Sequence, residues 1–361
     1  MGEGSAYDAA AVVVTHQSVD FIEDTLRSVL ADPGPSEIVV VDSASTDGTP
    51  GVVEGFGVRV VRLAENRGFA AAIREGFRST TAPIVAVLNH DVTVHPGWLR
   101  PLVEALGDPD VGAAMATVEL ASSPGHFNTS GGVMTATAIT WVSDYGRPIP
   151  EESDPVTVPF PSGAAFAITR KTWEAVDGMW DDLFLYHEDT DLGWRLRMRG
   201  LRSVRVPGSV VSHDYEFSRN PEKLGLLERN RLMMLLANYR RSTLLLLLPV
   251  IVLHELGVLI LALLGGWAGK KTRGWSAVAG RRRAIRRRYQ DLQSRRTVGD
   301  APILDQARGR LQDIALPGMK APPGAGLVSW LTGLWVSLIR PIVAAIDRRR
   351  GLIDVDPEGS S

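Results

Sequence analysis

"EIVVVDSASTDGT", Glu37 to Thr49, decides the fold. Its first half is a β-branched run closed by Asp42, the pattern of a parallel strand buried on both faces. Its second half is a small-polar turn, so Asp42 stands at the strand's carboxyl end with room beside it. On the N-terminal side, "AVVVTH" (Ala11 to His16) is a second buried strand. Between the two, "DFIEDTLRSVL" places Phe21, Ile22, Leu26, Val29 and Leu30 at helical spacing. On the C-terminal side come a shorter strand "VRVVRL", a helix "GFAAAIREGFRST" and a strand "PIVAVLN". This β-α-β-α alternation predicts a doubly wound α/β sheet. Such sheets bind ligands beyond the carboxyl ends of their strands. Polar residues gather there: Thr15, His16 and Gln17, then Asp42 and Ser43, then Asn89, His90 and Asp91. Any one of these reads equally well as a cap or turn former. Three clusters at three strand ends argue for a ligand.

The composition leaves room for such a domain. The chain has 361 residues, 45% hydrophobic and 22% charged, which permits a packed core and excludes global disorder. A net charge of -2 gives no sign of a nucleic-acid partner. There are no cysteines, so no disulfide, thiolate nucleophile or zinc-thiolate site exists. "MGEGSAYDAA" lacks the basic and apolar regions of a secretory signal, and Ala6 departs from the myristoylation pattern.

From about Arg240 the character changes. "STLLLLLPVIVLHELGVLILALLGGW" is long enough to cross a bilayer, but Pro249, His254 and Glu255 interrupt it at cost. A basic stretch, "GRRRAIRRRYQ", reads as part of a loop-like segment, then "PPGAG" as a linker. A second apolar segment follows, "LVSWLTGLWVSLIRPIVAAI". The chain thus divides into residues 1–240 and a membrane-associated helical region with a polar tail, 241–361. A single crossing, or a hairpin, would put the arginines of 281–288 outside, against the positive-inside tendency. Both apolar segments are therefore expected in or on the inner leaflet, with the basic stretch on anionic headgroups.

One more stretch carries chemistry. "FLYHEDTDLGWRLRMRG" (Phe184 to Gly200) packs Glu188, Asp189 and Asp191 just before a helix-like run. The helix is expected to begin near Asp191, with Arg195, Arg197 and Arg199 toward solvent. Capping explains one acid at a helix start. It does not explain two more beside Tyr186 and His187.

Taken together, "THQS…VVVDSASTDGT…ENRGFAAAIREGF…VAVLNHDV" and "GMWDDLFLYHEDTDLGWRLRMRG" resemble the inverting glycosyltransferases of family 2. That family has the GT-A fold, a doubly wound mixed sheet flanked by helices. The resemblance covers roughly Ala11 to Tyr239, and "HDYEFSRNPEKLGLLERNRLMMLLANY" points to the branch with rhamnosyl- and other cell-envelope sugar transferases. It implies that Thr15 and Gln17 border the nucleotide and that Asp42 contacts the base. Asn66, Gly68 and Arg74 would lie along the donor cleft. "NHD" takes the place of the family's DxD motif, with Asn89 for the first acid and Asp91 as ligand of a divalent cation, Mg²⁺ or Mn²⁺. His213 would be a second metal ligand or face phosphate. Asp189 would be the catalytic base, with Glu188 and Trp180 on the acceptor side. Glu228 to Arg231, "ERNR", would hold phosphate or form an ordinary charged helix face.

The implied partners are a nucleotide-sugar donor, dTDP-rhamnose first, a lipid-linked or glycan acceptor and the cytoplasmic face of the cell membrane. Two rivals share the fold: a polyprenyl-phosphate sugar synthase, which needs no hydroxyl base, and an inactive membrane-tethered binding module. The "HED" signature, His187 to Asp189, argues against the first, and the presence of Asp91 and Asp189 against the second. A nicotinamide oxidoreductase is excluded, because no G-x-G-x-x-G follows the first strand.

Overall fold

The computed structural model describes residues 7–214, 222–313 and 324–354. These fall into two compact units. The first comprises residues up to 132, 142–193 and 201–216; the second comprises 133–141, 194–200 and everything from 217 onward.

In the first unit the β-branched runs are strands β1 (Ala9–Thr15), β2 (Glu37–Asp42), β3 (Arg59–Arg62) and β4 (Ile84–Asn89). Helices α1 (Ile22–Ala31), α2 (Thr49–Glu54) and α3 (Phe69–Ser79) connect them. The strands lie parallel in the order β4-β1-β2-β3. Val12, Val13, Val39, Val40, Val87 and Leu88 are fully buried, which is why these segments read as continuous apolar runs rather than alternating ones. On α1 the apolar stripe faces inward at Ile22, Leu26 and Val29, while Leu30 is exposed. The register sets Thr15 beside Asp42 and Val14 beside Asn89, so the polar ends of β1, β2 and β4 stand side by side.

The sheet then turns mixed. After β5 (Val92–Val94), α4 (Leu99–Ala105), β6 (Val111–Leu120), β7 (Ser123–Thr129) and the paired β8 (Gly132–Met134) and β9 (Thr140–Val142) come β10 (Val156–Val158), β11 (Ala165–Thr169), α5 (Arg170–Ala175), α6 (Glu188–Met198) and β12 (Arg202–His213). β11 runs antiparallel between β4 and β6, and β12 pairs with β6, β10 and β5. Ten strands join in this sheet among the described residues, with helices around it, as the sequence predicts.

Two expectations are corrected here. Helix α6 begins at Glu188, not near Asp191. Arg195 and Arg197 are buried rather than solvated, because every residue from Thr190 to Met198 is covered. Within the second unit, Trp194 of α6 meets Tyr239 edge-on at 4.6 Å, and the Met198 carbonyl accepts from the amides of Thr297 (2.9 Å) and Val298 (3.1 Å).

The second unit is helical: α7 (Lys223–Asn238), α8 (Arg241–Leu264), α9 (Ala268–Gly280), α10 (Arg282–Arg295), α11 (Ala301–Gln306) and α12 (Ala325–Arg349). The basic stretch is therefore helix, not loop. Ile285 and Leu292, two turns apart, are buried and anchor α10, while Arg282, Arg283, Arg286 and Arg287 are exposed. The linker prolines Pro322 and Pro323 lie outside the described residues.

The polar interruptions of α8 are satisfied inside this unit. Glu255 pairs with Arg231 and Lys271 (3.1 Å) and accepts from the Trp275 indole at 2.8 Å. His254 bonds Thr137 and Thr332. Glu228 takes Arg231 at 2.9 Å and Lys271 at 2.5 Å, so two acids and two bases neutralise one another. Glu228 and Arg231 of "ERNR" are thus spent on structure. Removing one partner would strand the other charges, whereas the full set is self-consistent. The other side of α8 is apolar and exposed at Leu245, Leu248, Leu256, Ile260 and Leu263, and that of α12 at Leu327, Trp330, Leu334 and Leu338.

Candidate active site

Three loops leave the carboxyl ends of β1, β2 and β4, and side chains lash the first two together. Thr15 is buried and bonds the Ser18 hydroxyl, while its carbonyl accepts from Ser43 N at 2.9 Å. Gln17 adopts a left-handed φ of 50°. Its Oε1 accepts from the amides of Thr46 (2.7 Å) and Asp47 (3.1 Å), and its Nε2 donates to the Thr46 hydroxyl at 3.0 Å. The turn after β1 is therefore stapled to the turn after β2. Asp42 is buried and its Oδ1 accepts from Ser45 N at 3.1 Å, which shapes the small-polar turn around the carboxylate.

The loop before α3 is fixed against the acidic stretch. Asn66 Oδ1 accepts from Gly68 N at 2.9 Å, and Phe69 N donates to the Phe184 carbonyl at 2.7 Å. Gly68 has φ 87°, and a Cβ there would overlap the Phe184 carbonyl. Only glycine meets both demands. Gly68→Ala is expected to lower the melting temperature and weaken donor binding together, because the two loops must separate. Calorimetry and nucleotide titration check this; unchanged values for both would contradict the packing described. Phe184, Tyr186 and His187 all have positive φ (65°, 71°, 69°), an uncommon cluster of non-glycine residues that holds the following helix start in place.

Arg74 is turned elsewhere. Its guanidinium donates to the carbonyls of Asp177 (2.9 Å) and Met179 (3.1 Å) and pairs with Asp181 at 3.3 Å. It clamps the turn of 177–181 to α3. Trp180, next in that turn, is buried and donates to Asp182 at 3.0 Å.

Asp189 sits in the first turn of α6. Its Oδ2 accepts from Gly163 N at 3.2 Å, and its Oδ1 from Thr190 N at 2.6 Å. Ala164, next to Gly163, accepts from Asn89 N at 3.0 Å. A short backbone path therefore joins the Asp189 carboxylate to the "NHD" loop. Burial pushes the Asp189 carboxyl up, partly offset by the Gly163 and Thr190 donors. Burial pushes Glu188 well above the ordinary range, and the Asp189 charge adds to it. Glu188 Oε2 is buried without a hydrogen-bond partner. At a helix start both acids would be expected ionised; instead burial makes Glu188 the one that keeps its proton to higher pH. Two adjacent carboxyls held in different environments can divide acid and base roles.

The sign of the stability effect follows. The folded carboxyl of Glu188 titrates above its unfolded value of 4.5, so between those two points the fold binds the extra proton and stability falls as pH rises. Glu188→Gln removes this term. The wild type is expected to lose up to about 1.4 kcal/mol per pH unit relative to the variant across that window. Denaturation curves across pH measure it, and parallel profiles would contradict the burial argument.

Asp91 and His213 come together, although they are far apart in sequence. β5 pairs with the end of β12, with Val92 opposite His213. His213 Nε2 and Asp91 Oδ1 are 3.1 Å apart, and both side chains are under 10% exposed. Among the described residues no three His, Asp or Glu side chains converge as a metal set. The pair still fits a divalent cation that takes its remaining ligands from phosphate oxygens and water, the usual habit of Mg²⁺. Sequence reading missed Gly163, Ala164 and Phe184, which act through backbone groups. It also missed Asn128, whose Oδ1 lies 3.2 Å from His213 Nδ1. "PSG" at 161–163 reads as a turn, and no signal marks the others.

Residues 10–176 match the family described as glycosyl transferase family 2. The succinoglycan biosynthesis protein ExoO of Rhizobium meliloti is 34% identical over 123 residues, 33% of this chain and 35% of that protein. The N-acetylglucosaminyl-diphospho-decaprenol L-rhamnosyltransferase of Mycobacterium tuberculosis is 27% identical over 234 residues, 56% of this chain and 74% of that protein. The match to ExoO thus spans about a third of that relative's length. Among solved structures, GalNAc-T7 crystallised with UDP, GalNAc and Mn²⁺ shares the fold at TM-score 0.54 and 16% identity, over 65% of this chain and 48% of that one. The sheet and the loops at its strand ends accord with the match of residues 10–176 to the glycosyl transferase family 2 model.

Proposed function

We propose that the chain is an inverting glycosyltransferase that moves a sugar from a nucleotide-sugar donor to an acceptor hydroxyl. The observation that carries this is the backbone path from Asp189 through Gly163 and Ala164 to Asn89, which ties a buried carboxylate to the loop bearing Asp91. Thr15, Gln17 and Asp42 border the nucleotide, with Asn66, Gly68 and Asn89 along the donor. Arg74 serves this cleft by holding the 177–181 turn, next to the acceptor-side Trp180. Asp91 and His213 would hold Mg²⁺ or Mn²⁺, which supplies charge stabilisation to the departing nucleoside diphosphate.

Asp189 accepts the hydroxyl proton as the acceptor oxygen bonds to the anomeric carbon and the bond to the diphosphate breaks. A carboxylate is too weak to deprotonate an alcohol beforehand, so proton transfer accompanies attack. Its elevated proton affinity suits that task. Glu188, whose proton affinity burial raises, orients the acceptor beside it. One base and one displacement give inversion.

dTDP-rhamnose is the first donor and a polyprenyl-diphosphate glycan the first acceptor, supported by the mycobacterial rhamnosyltransferase relative. The test is a panel with UDP-galactofuranose, UDP-galactose and GDP-mannose added, lipid extracts as acceptors and mass spectrometry of the products. Sugar addition from one donor is expected. Donor binding with no transfer to any lipid or glycan would favour the binding-module reading.

In this reading residues 1–240 hold the transfer chemistry and 241–361 serve the membrane. α8 and α12 have the length and apolarity of membrane helices, yet only 17% and 22% of their most apolar stretches are buried, unlike core helices. The Glu255–Arg231–Lys271 cluster argues for α8 lying along the cytoplasmic leaflet rather than across it. The exposed arginines of α10 meet anionic headgroups. Arg286→Cys should resist a membrane-impermeant thiol reagent in intact cells; labelling from outside would overturn this placement.

A further inference from the structure

The geometry points to Asn128 as a positioning residue that fixes the ring of His213 for cation binding. This rests on the reading of Asp91 and His213 as ligands. Asn128 lies on β7 and reaches His213 across the end of β6, which separates β7 from β12. The registers place Leu120 beside His213 and Glu119 opposite Phe127, which brings Asn128 to the ring. Asn128 is 4% exposed and His213 6%, so water does not compete for the contact.

The Asn128 amide oxygen accepts from His213 Nδ1 at 3.2 Å. With Nδ1 donating to Asn128, Nε2 is the ring nitrogen left to ligate a cation. Nε2 points at Asp91 Oδ1, 3.1 Å away. A divalent cation would replace this direct contact and be ligated by both atoms. A ligating histidine commonly donates its second ring N–H to such a partner, which sets both tautomer and orientation. Among the described residues the Asn128 Nδ2 has no hydrogen-bond partner, and its Oδ1 is the polar atom that meets His213.

The test is Mn²⁺ binding by the full chain in the presence of UDP, followed by the electron paramagnetic resonance signal of free Mn²⁺. Asn128→Leu keeps the volume but removes the acceptor, and its Mn²⁺ Kd should rise about 10- to 100-fold. Asn128→Asp keeps an acceptor for Nδ1–H and should stay within a few-fold of wild type. Circular dichroism melts confirm that both variants fold. Wild-type affinity in Asn128→Leu, or equal losses in both variants, would overturn the proposal. A wild-type chain that binds no Mn²⁺ while binding UDP would remove the metal reading itself, and with it the role of Asn128.

Discussion

Asp189→Asn is expected to fold, bind donor and transfer sugar about a thousandfold more slowly, the scale of a positioned general base. The amide keeps the size of the side chain, and its oxygen can still accept from Gly163 N or Thr190 N. What it loses is the ability to take a proton. Because burial raises the Asp189 carboxyl, the acid limb of the wild-type rate should lie above the ordinary Asp value of 3.8. Activity falls as pH drops through that limb, since the protonated acid is no base. Stopped assays over pH with both proteins measure the rate ratio and the limb. A near wild-type rate in the variant would make the acid cluster structural.

Asp91→Ala should cost a similar or larger factor, roughly a thousandfold or more if charge stabilisation of the leaving diphosphate dominates the barrier. It also leaves His213 Nε2 without its 3.1 Å partner. Excess chelator should silence the wild type, and added Mn²⁺ or Mg²⁺ should restore it but not Asp91→Ala. Full wild-type activity in chelator would remove Asp91 and His213 from the metal role. Melting curves of the variant separate loss of chemistry from loss of fold.

How much of this was legible depends on what each residue does. The strands β1, β2 and β4 are buried on both faces, so composition alone marks them, and their ends fell within two residues of the runs read from sequence. The parallel register then places Thr15, Asp42 and Asn89 side by side without further information. α6 was harder. A run alternating Leu, Arg and Trp suggests one wet face, and nothing local shows that Arg195 and Arg197 are covered on all sides. The basic segment reads as loop because its charge masks two anchors, Ile285 and Leu292, a heptad apart.

The site divides in the same way. Asp91, Asp189 and His213 belong to sequence patterns, but the meeting of Asp91 with His213 depends on β5 pairing with the end of β12. The resemblance sets Arg74 along the donor cleft, and its partners in the fold are two carbonyls and Asp181. Gly163 and Phe184 act through main-chain atoms, which leave no residue-type signal. Glu188 carries the same formal charge as Asp189 in the sequence. Burial raises both, and the Gly163 and Thr190 donors on Asp189, against the unpartnered Oε2 of Glu188, set their protons apart.

The central claim is a single displacement assisted by one base, and the anomeric configuration of the product tests it most directly. Proton NMR of the freshly formed glycoside should show the configuration opposite to that of the donor. Retention would mean a double displacement or attack from the leaving-group face, and would contradict Asp189 as the base of a single back-side displacement.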